Sequence, residues 1–197
     1  MHTRRYHHGD LRAALLTRAE QTLREKGPGA LSLRELARDL GVSHAAPSRH
    51  FKDKQALLDA LALAGFERLE TALTGSREAA GEAFADRLAA LVRAYVDFAV
   101  DNAELLDLMY TVKHDPAASE ALITAAHQLG AMAEEMVAEG QRGGEVRQGP
   151  VDSIAMPVFT TLHGYASFAV SSVLSPEEVR SGLDAVIAYM LRGCAPS

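Results

Sequence analysis

Residues 32–54 read SLRELARDLGVSHAAPSRHFKDK, and the reading of this stretch decides the fold. Leu33, Leu36, Ala37 and Leu40 recur at i, i+3, i+4 and i+7, which lines one face of a short helix, while Arg34, Glu35, Arg38 and Asp39 take the other face. Ser32 and Glu35 have the spacing of a capping box, in which hydroxyl and carboxylate each take an orphan amide. Gly41 stops the helix where a left-handed residue costs least, Val42 turns back toward the core, and Ser43 is placed to cap a second helix. Helix, short glycine turn and helix form the angled pair that carries a recognition helix into a major groove. With Ser43 as cap, Pro47 falls at the fourth helical position and removes the first intrahelical hydrogen bond, a loss that only a first turn tolerates.

Working outward, the charge distribution supports a DNA-facing end. The chain of 197 residues has a net charge of −6, but residues 1–55 carry 11 Lys and Arg against 6 Asp and Glu. The remainder carries 9 against 20. A basic end on an acidic body neutralises phosphates on one side and repels DNA elsewhere, which favours an oriented binder over a coating protein. The 48 % apolar content is enough for a sizeable core, in one domain or two small ones. A single cysteine, Cys194, excludes an intramolecular disulfide or a multi-cysteine metal site and fits a reducing cytosol. The start of the chain lacks the apolar run of a signal peptide.

Along the chain, Met1–Gly9, with Arg4, Arg5, His7 and His8, has no period and reads as an arm, either a solvated tail or a basic arm on the DNA. Adjacent histidines without acidic or sulfur partners seldom hold a metal, and no metal or cofactor is expected. Asp10 is placed to cap a first helix to about Lys26, with Leu11, Leu15, Ala19 and Leu23 on one stripe. Asp53 and Lys54 open a further helix to about Thr74, ended by Gly75; a helix N-terminus beside a phosphate is favourable and Lys54 adds a full charge there. Phe84, Leu88, Leu91, Tyr95 and Phe98 form the next stripe, followed by a short helix with Leu105, Leu106, Met109 and Tyr110. Asp115 before Pro116 predicts a helix start, and Leu122, Ile123, Ala126, Met132 and Met136 continue that helix toward Gly143-Gly144. Residues 156–174 contain no charged residue, yet Pro157, His163, Gly164 and the hydroxyl residues argue against a membrane span. An almost wholly apolar helix must be covered on more than one side, here by its own core and by a second copy. Ser175, Pro176 and Glu178 mark the start of a last helix, and these two terminal helices can pair with their copies in a four-helix interface. The result is an all-α chain with a three-helix DNA-binding domain (1–52) and a helical body (53–197) whose last two helices can form a dimer interface.

The run LARDLGVSHAAPSRHFKDKQALLDAL resembles the DNA-binding segment of the tetracycline-repressor (TetR) family of bacterial regulators, with Gly41, Val42, Ser43, Ala46, His50, Phe51, Lys54 and Leu57 matching its pattern. It departs where the family usually has a phosphate-touching Tyr, which is Ser48 here, and where Pro47 replaces an aliphatic residue. The resemblance implies that Arg34, His44 and Ala45 lie closest to base edges and that Ser32, Ser48, His50 and Lys54 face phosphates. Ser43, Ala46 and Arg49 complete the same segment, and Arg49 can serve either role. These residue types suit the task, since Arg takes guanine bidentately and Ala accepts a thymine methyl. Leu162-His163-Gly164 resembles the Trp-His-Gly triplet of one TetR subgroup, without its Trp. The resemblance further implies a homodimer through the last two helices and an effector cavity in the body, with Tyr95, Phe98, Met109, Tyr110, His127, Phe159 and His163 as candidate lining. Plain packing is the competing reading for each of them.

The expected function is therefore a cytoplasmic, sequence-specific transcriptional regulator, a dimeric repressor on a near-palindromic operator, released by an unidentified small-molecule effector. A structural or non-specific helical dimer is an alternative. An all-α enzyme using His163 or His127 is another, though no Ser-His-Asp order, metal spacing or phosphate loop accompanies either histidine.

Overall fold

The computed structural model describes residues 8–171 and 173–196, so the arm expected at Met1–His7 lies outside the described residues. Among the described residues there are eight α-helices and no strand: α1 (His8–Lys26), α2 (Leu33–Asp39), α3 (Lys54–Ala79), α4 (Phe84–Asp101), α5 (Ala103–Val112), α6 (Glu120–Arg142), α7 (Asp152–Val170) and α8 (Pro176–Cys194). Two 3₁₀ turns, Pro28–Ala30 and Pro47–Arg49, interrupt the first part. The contacts divide the chain into two compact units, one of residues up to Phe66 with Ala103–Thr124, the other of Glu67–Asn102 with the residues from Ala125 on.

In the first unit the stripe Leu11, Leu15, Ala19 and Leu23 of α1 is buried, together with Leu31, Leu36, Ala37, Phe51 and Leu57. Each Leu or Phe among them taken fully from water contributes about 1.5–3 kcal/mol, so convergence on one core is what holds these elements. Arg18 of α1 pairs with Asp39 of α2 at 2.9 Å. The backbone is already helical before Asp10, so that position lies inside α1 and not at the N-cap position expected from the sequence. Ser32 occupies the N-cap position of α2 with extended backbone but makes no side-chain cap bond, and Glu35 turns instead to Arg38 at 3.4 Å. The expected capping box is absent there. Asp53 does cap α3, its Oδ1 accepting the Ala56 amide at 2.8 Å. Gly75, expected to end α3, lies within it, since a single glycine weakens a helix by only about 1 kcal/mol and flanking packing outweighs that. On the same helix Gly65 leaves room for α5: a Cβ there would meet Met109 Sδ at 2.6 Å.

Asp115 likewise does something other than start a helix. Its carboxylate accepts the Ala117 amide in a turn, and α6 begins at Glu120. The start is fixed from outside, because both Asp59 oxygens on α3 accept from Ser119, one from its amide and one from its hydroxyl, each at 2.7 Å. The Ser119 hydroxyl in turn accepts the Leu122 amide at 3.2 Å.

In the second unit α4 packs against α7 and α8, and α7 against α8. The stripe Phe84, Leu88, Leu91, Tyr95 and Phe98 is buried as its spacing predicts. The α4 start is capped by Glu145, which accepts the Phe84 amide at 2.8 Å, and Glu139 of α6 receives Arg77 and Arg87, each at 3.1 Å. The capping box of α8 is complete, with Glu178 accepting the Ser175 amide at 2.8 Å and returning its own amide to the hydroxyl. The hydrogen bond from the Ser175 backbone, and then that from its side chain, hold the Glu178 carboxyl below its ordinary pKa. Its contribution is therefore present above the ordinary carboxylate range and fades as pH falls through the lowered value.

Removing the external cap should expose its weight. Asp59→Ala is expected to lower stability by about 1–2 kcal/mol, and Asp59→Asn by less because one acceptor remains. Urea midpoints at unchanged slope measure both; equal stability of Asp59→Ala and the parent chain contradicts the assignment.

Candidate nucleic-acid interface and effector cluster

The second member of the helix pair is a 3₁₀ turn of three residues in place of the α-helix expected from Ser43. Pro47 explains it. An α-helical bond from the Ser43 carbonyl needs an amide at residue 47, and proline has none, so that carbonyl accepts from Ala46 at 2.9 Å. Later carbonyls follow in the tighter pattern, Ala46 taking the Arg49 amide at 3.3 Å and Pro47 that of His50 at 2.9 Å, and the Pro47 carbonyl also takes the Phe51 amide at 2.9 Å with α-helical spacing. The segment is anchored from beneath by buried Pro47 and Phe51, with Arg12 of α1 over the Phe51 ring at 5.5 Å. Gly41, at φ +66°, turns the chain between α2 and this segment, as the sequence predicts.

That anchoring leaves Arg34, Ser43, His44, Ala45, Ser48, Arg49 and Lys54 exposed, with Ser32, Ala46 and His50 half-buried. Arg34 and Arg49 have no carboxylate partner among the described residues, so neither guanidinium must break an ion pair to meet DNA. Lys54 donates to the Gly29 carbonyl at 3.3 Å, which holds its ammonium at the start of α3. His50 Nε2 is buried and without a hydrogen-bond partner among the described residues.

Three of the seven candidate effector residues come together. Tyr95 on α4 and His163 on α7 share a hydrogen bond of 2.8 Å between the hydroxyl and Nδ1. Phe159, one turn earlier on α7, stacks on the His163 ring at 5.8 Å and 10°. Tyr95 is 1 % exposed, so the pair is a polar feature set inside an apolar seam. Phe98 lies under Arg68 at 5.9 Å, and His127 is exposed on α6. Met109 and Tyr110 belong to the first unit, where Met109 faces Gly65 and Tyr110 lies against Phe66 at 5.9 Å. A cavity of about 320 Å³ between α7 and α8, which the sequence did not reveal, is lined by none of the seven.

The fold and the exposed basic turn define an all-α protein of the helix-turn-helix class. Two family profiles match: bacterial regulatory proteins of the tetR family over residues 15–61, and the tetracyclin repressor-like C-terminal domain over residues 88–192. A search of curated proteins gives no match. Among solved structures, a protein of unknown function from Rhodococcus sp. RHA1 is 46 % identical, with 98 % of this chain and 100 % of that one covered at a TM-score of 0.91. A tetR-family regulatory protein from Rhodococcus RHA1 shares the fold at 21 % identity, TM-score 0.74, covering 94 % and 97 %. The TetR-family regulator PfmR from Thermus thermophilus does so at 21 %, TM-score 0.71, covering 91 % and 97 %. The chain belongs to the TetR family, and its fold is that of a DNA-binding transcription regulator. No helix among the described residues is long and apolar enough to cross a membrane.

The Tyr95–His163 bond gives a direct expectation. Tyr95→Phe should cost about 0.5–1.5 kcal/mol of stability, with the fold unchanged by circular dichroism. A urea midpoint equal to that of the parent chain contradicts a net contribution from this bond.

Proposed function

We propose that the chain acts as a homodimeric repressor, in the cytoplasm, on a near-palindromic operator, and that a small-molecule effector releases it. The observation that carries the DNA reading is the exposed surface formed by Arg34 of α2 with His44, Ala45 and Arg49 of the following turn, its two guanidiniums free of ion pairs among the described residues, on the basic end of an otherwise acidic chain. In this reading residues 1–52 read DNA. Arg34, His44 and Ala45 meet base edges, Ser32, Ser48, His50 and Lys54 meet phosphates, and Ser43, Ala46 and Arg49 complete the surface.

Residues 53–197 supply dimerisation and effector binding. Met156 and Phe168 on α7 and Tyr189 on α8 are 64 %, 54 % and 63 % exposed, an apolar excess on the two helices expected to meet their copies. Two readers about 34 Å apart then meet successive major grooves. The Tyr95, Phe159 and His163 cluster supports an effector site that combines stacking with a hydrogen-bonding edge. An effector shifts the reader only if it binds the DNA-competent and incompetent states unequally. Catalysis is assigned to neither His163, which is engaged by Tyr95, nor the exposed His127.

Selection of bound sequences from a random DNA pool at moderate salt tests the proposal. An inverted repeat is expected; folded protein that recovers no preferred sequence contradicts it. On that operator, His44→Ala should relax base preference by about 1–3 kcal/mol at its position. Lys54→Ala should weaken all sequences alike and lower the salt slope by about one. An unchanged preference in the first variant removes His44 from the base-reading set.

A further inference from the structure

The cavity of about 320 Å³ lies where the start of α7 meets the end of α8, within the second unit and apart from the Tyr95–His163 pair. Its floor is apolar, from Ile154 and Val158 of α7 and Met190 of α8, all buried. Its other lining includes two cations, Arg147 and Arg192, and no Asp or Glu. Neither arginine has a carboxylate partner among the described residues.

Arg147 is held in place by its surroundings. Its amide donates to the Cys194 carbonyl at 2.8 Å, and its guanidinium to the carbonyls of Gly193 at 3.2 Å and Ser153 at 3.5 Å. Those side-chain bonds use two of the five guanidinium donors, which leaves the rest for a ligand. The carbonyl end of α8 carries the equivalent of roughly half a negative charge, which opposes an anion here. Two full positive charges outweigh it. Burial pushes the Cys194 thiol above its ordinary pKa, and the nearby Arg147 charge pulls the other way. In size the cavity falls at the low end of the roughly 300–1,000 Å³ typical of small-molecule sites. One aromatic ring or a short aliphatic chain with a single head group fills such a space.

We propose that this cavity binds a small carboxylate with a compact apolar body, the carboxylate on Arg147 and Arg192 and the body on Ile154, Val158 and Met190. Arginine suits the role because its planar fork matches a carboxylate bidentately. The site is independent of the effector cluster proposed above. Tyr189, 63 % exposed, stands at the rim, so the mouth opens on the side assigned to the second copy.

The test uses full-length protein labelled with ¹³C at its methionine methyls, with the Met190 signal assigned through Met190→Leu. Benzoate, phenylacetate and hexanoate are titrated, with benzamide as the neutral counterpart of benzoate. At least one carboxylate should shift Met190 saturably below about 10 mM, and benzamide should bind at least about tenfold more weakly than benzoate. Arg192→Gln, a change at an exposed residue that caps nothing, should weaken carboxylate binding about tenfold. Arg147→Gln should do the same if it folds. The proposal is overturned if none of the three acids shifts Met190 saturably, if benzamide matches benzoate, or if Arg192→Gln binds like the parent. It is also overturned if Met190 responds only to dilution into monomer, which would mean that a side chain of the second copy fills the cavity. Operator binding enters none of these readouts, so this result and that of the repressor proposal are separable.

Discussion

A 3₁₀ turn of three residues cannot hold its own shape, and the presentation of the exposed side chains around it depends on what lies beneath it. Pro47 and Phe51 are buried, and the core they join is built from Leu15 and Leu23 of α1, Leu36 of α2 and Leu57 of α3. A helix of seven residues such as α2 is marginal in isolation, so it is stable only because its apolar stripe meets those of its longer neighbours. The Arg18–Asp39 bridge at a half-exposed position adds little energy by comparison, but it fixes one helix against another. Side chains on top, among them His44 and Arg49, inherit their positions from this arrangement.

The body follows another logic. The buried residues of α4 and α7 are apolar apart from Tyr95, which shares a hydrogen bond with the half-buried His163. A buried polar group that lacks a partner costs about 1–3 kcal/mol, so such a pair specifies its own alignment across two helices. The same requirement explains Asp59 and Ser119. The α6 N-terminus has orphan amides, and a carboxylate from α3 satisfies the first position. Three helix ends in this chain are closed by residues distant in sequence: Glu145 for α4, Asp59 at the head of α6, the Arg147 side chain at the tail of α8.

That dependence explains where local patterns succeed and where they fail. Ser175–Glu178 forms its capping box because the motif is exposed and nothing competes for its groups. Ser32–Glu35 has the same spacing, yet Glu35 turns to Arg38 and the cap bond is not made. Asp115-Pro116 is a sound helix-start signal that becomes a turn, because Asp59 ties the start of α6 to Ser119 instead. Gly75 stays helical because neighbours such as Leu69 and Leu73 are buried on α3. The candidate effector residues divide for the same reason. Periodicity places all seven in apolar helices, but it cannot say which helices face each other, and only Tyr95, Phe159 and His163 meet.

By itself the sequence determined the helical class, the stripes that become buried, the glycine turn at Gly41, the basic end and the family. Each of these is a matter of spacing or composition within a few tens of residues, and physical chemistry acts on them locally. Only the tertiary structure decided that Pro47 tightens the reader into a 3₁₀ turn, that Asp59 caps a helix sixty residues away, and that Arg147 and Arg192 line one cavity with Met190. Those outcomes depend on which groups the packing brings within hydrogen-bond reach, and no linear pattern records that distance.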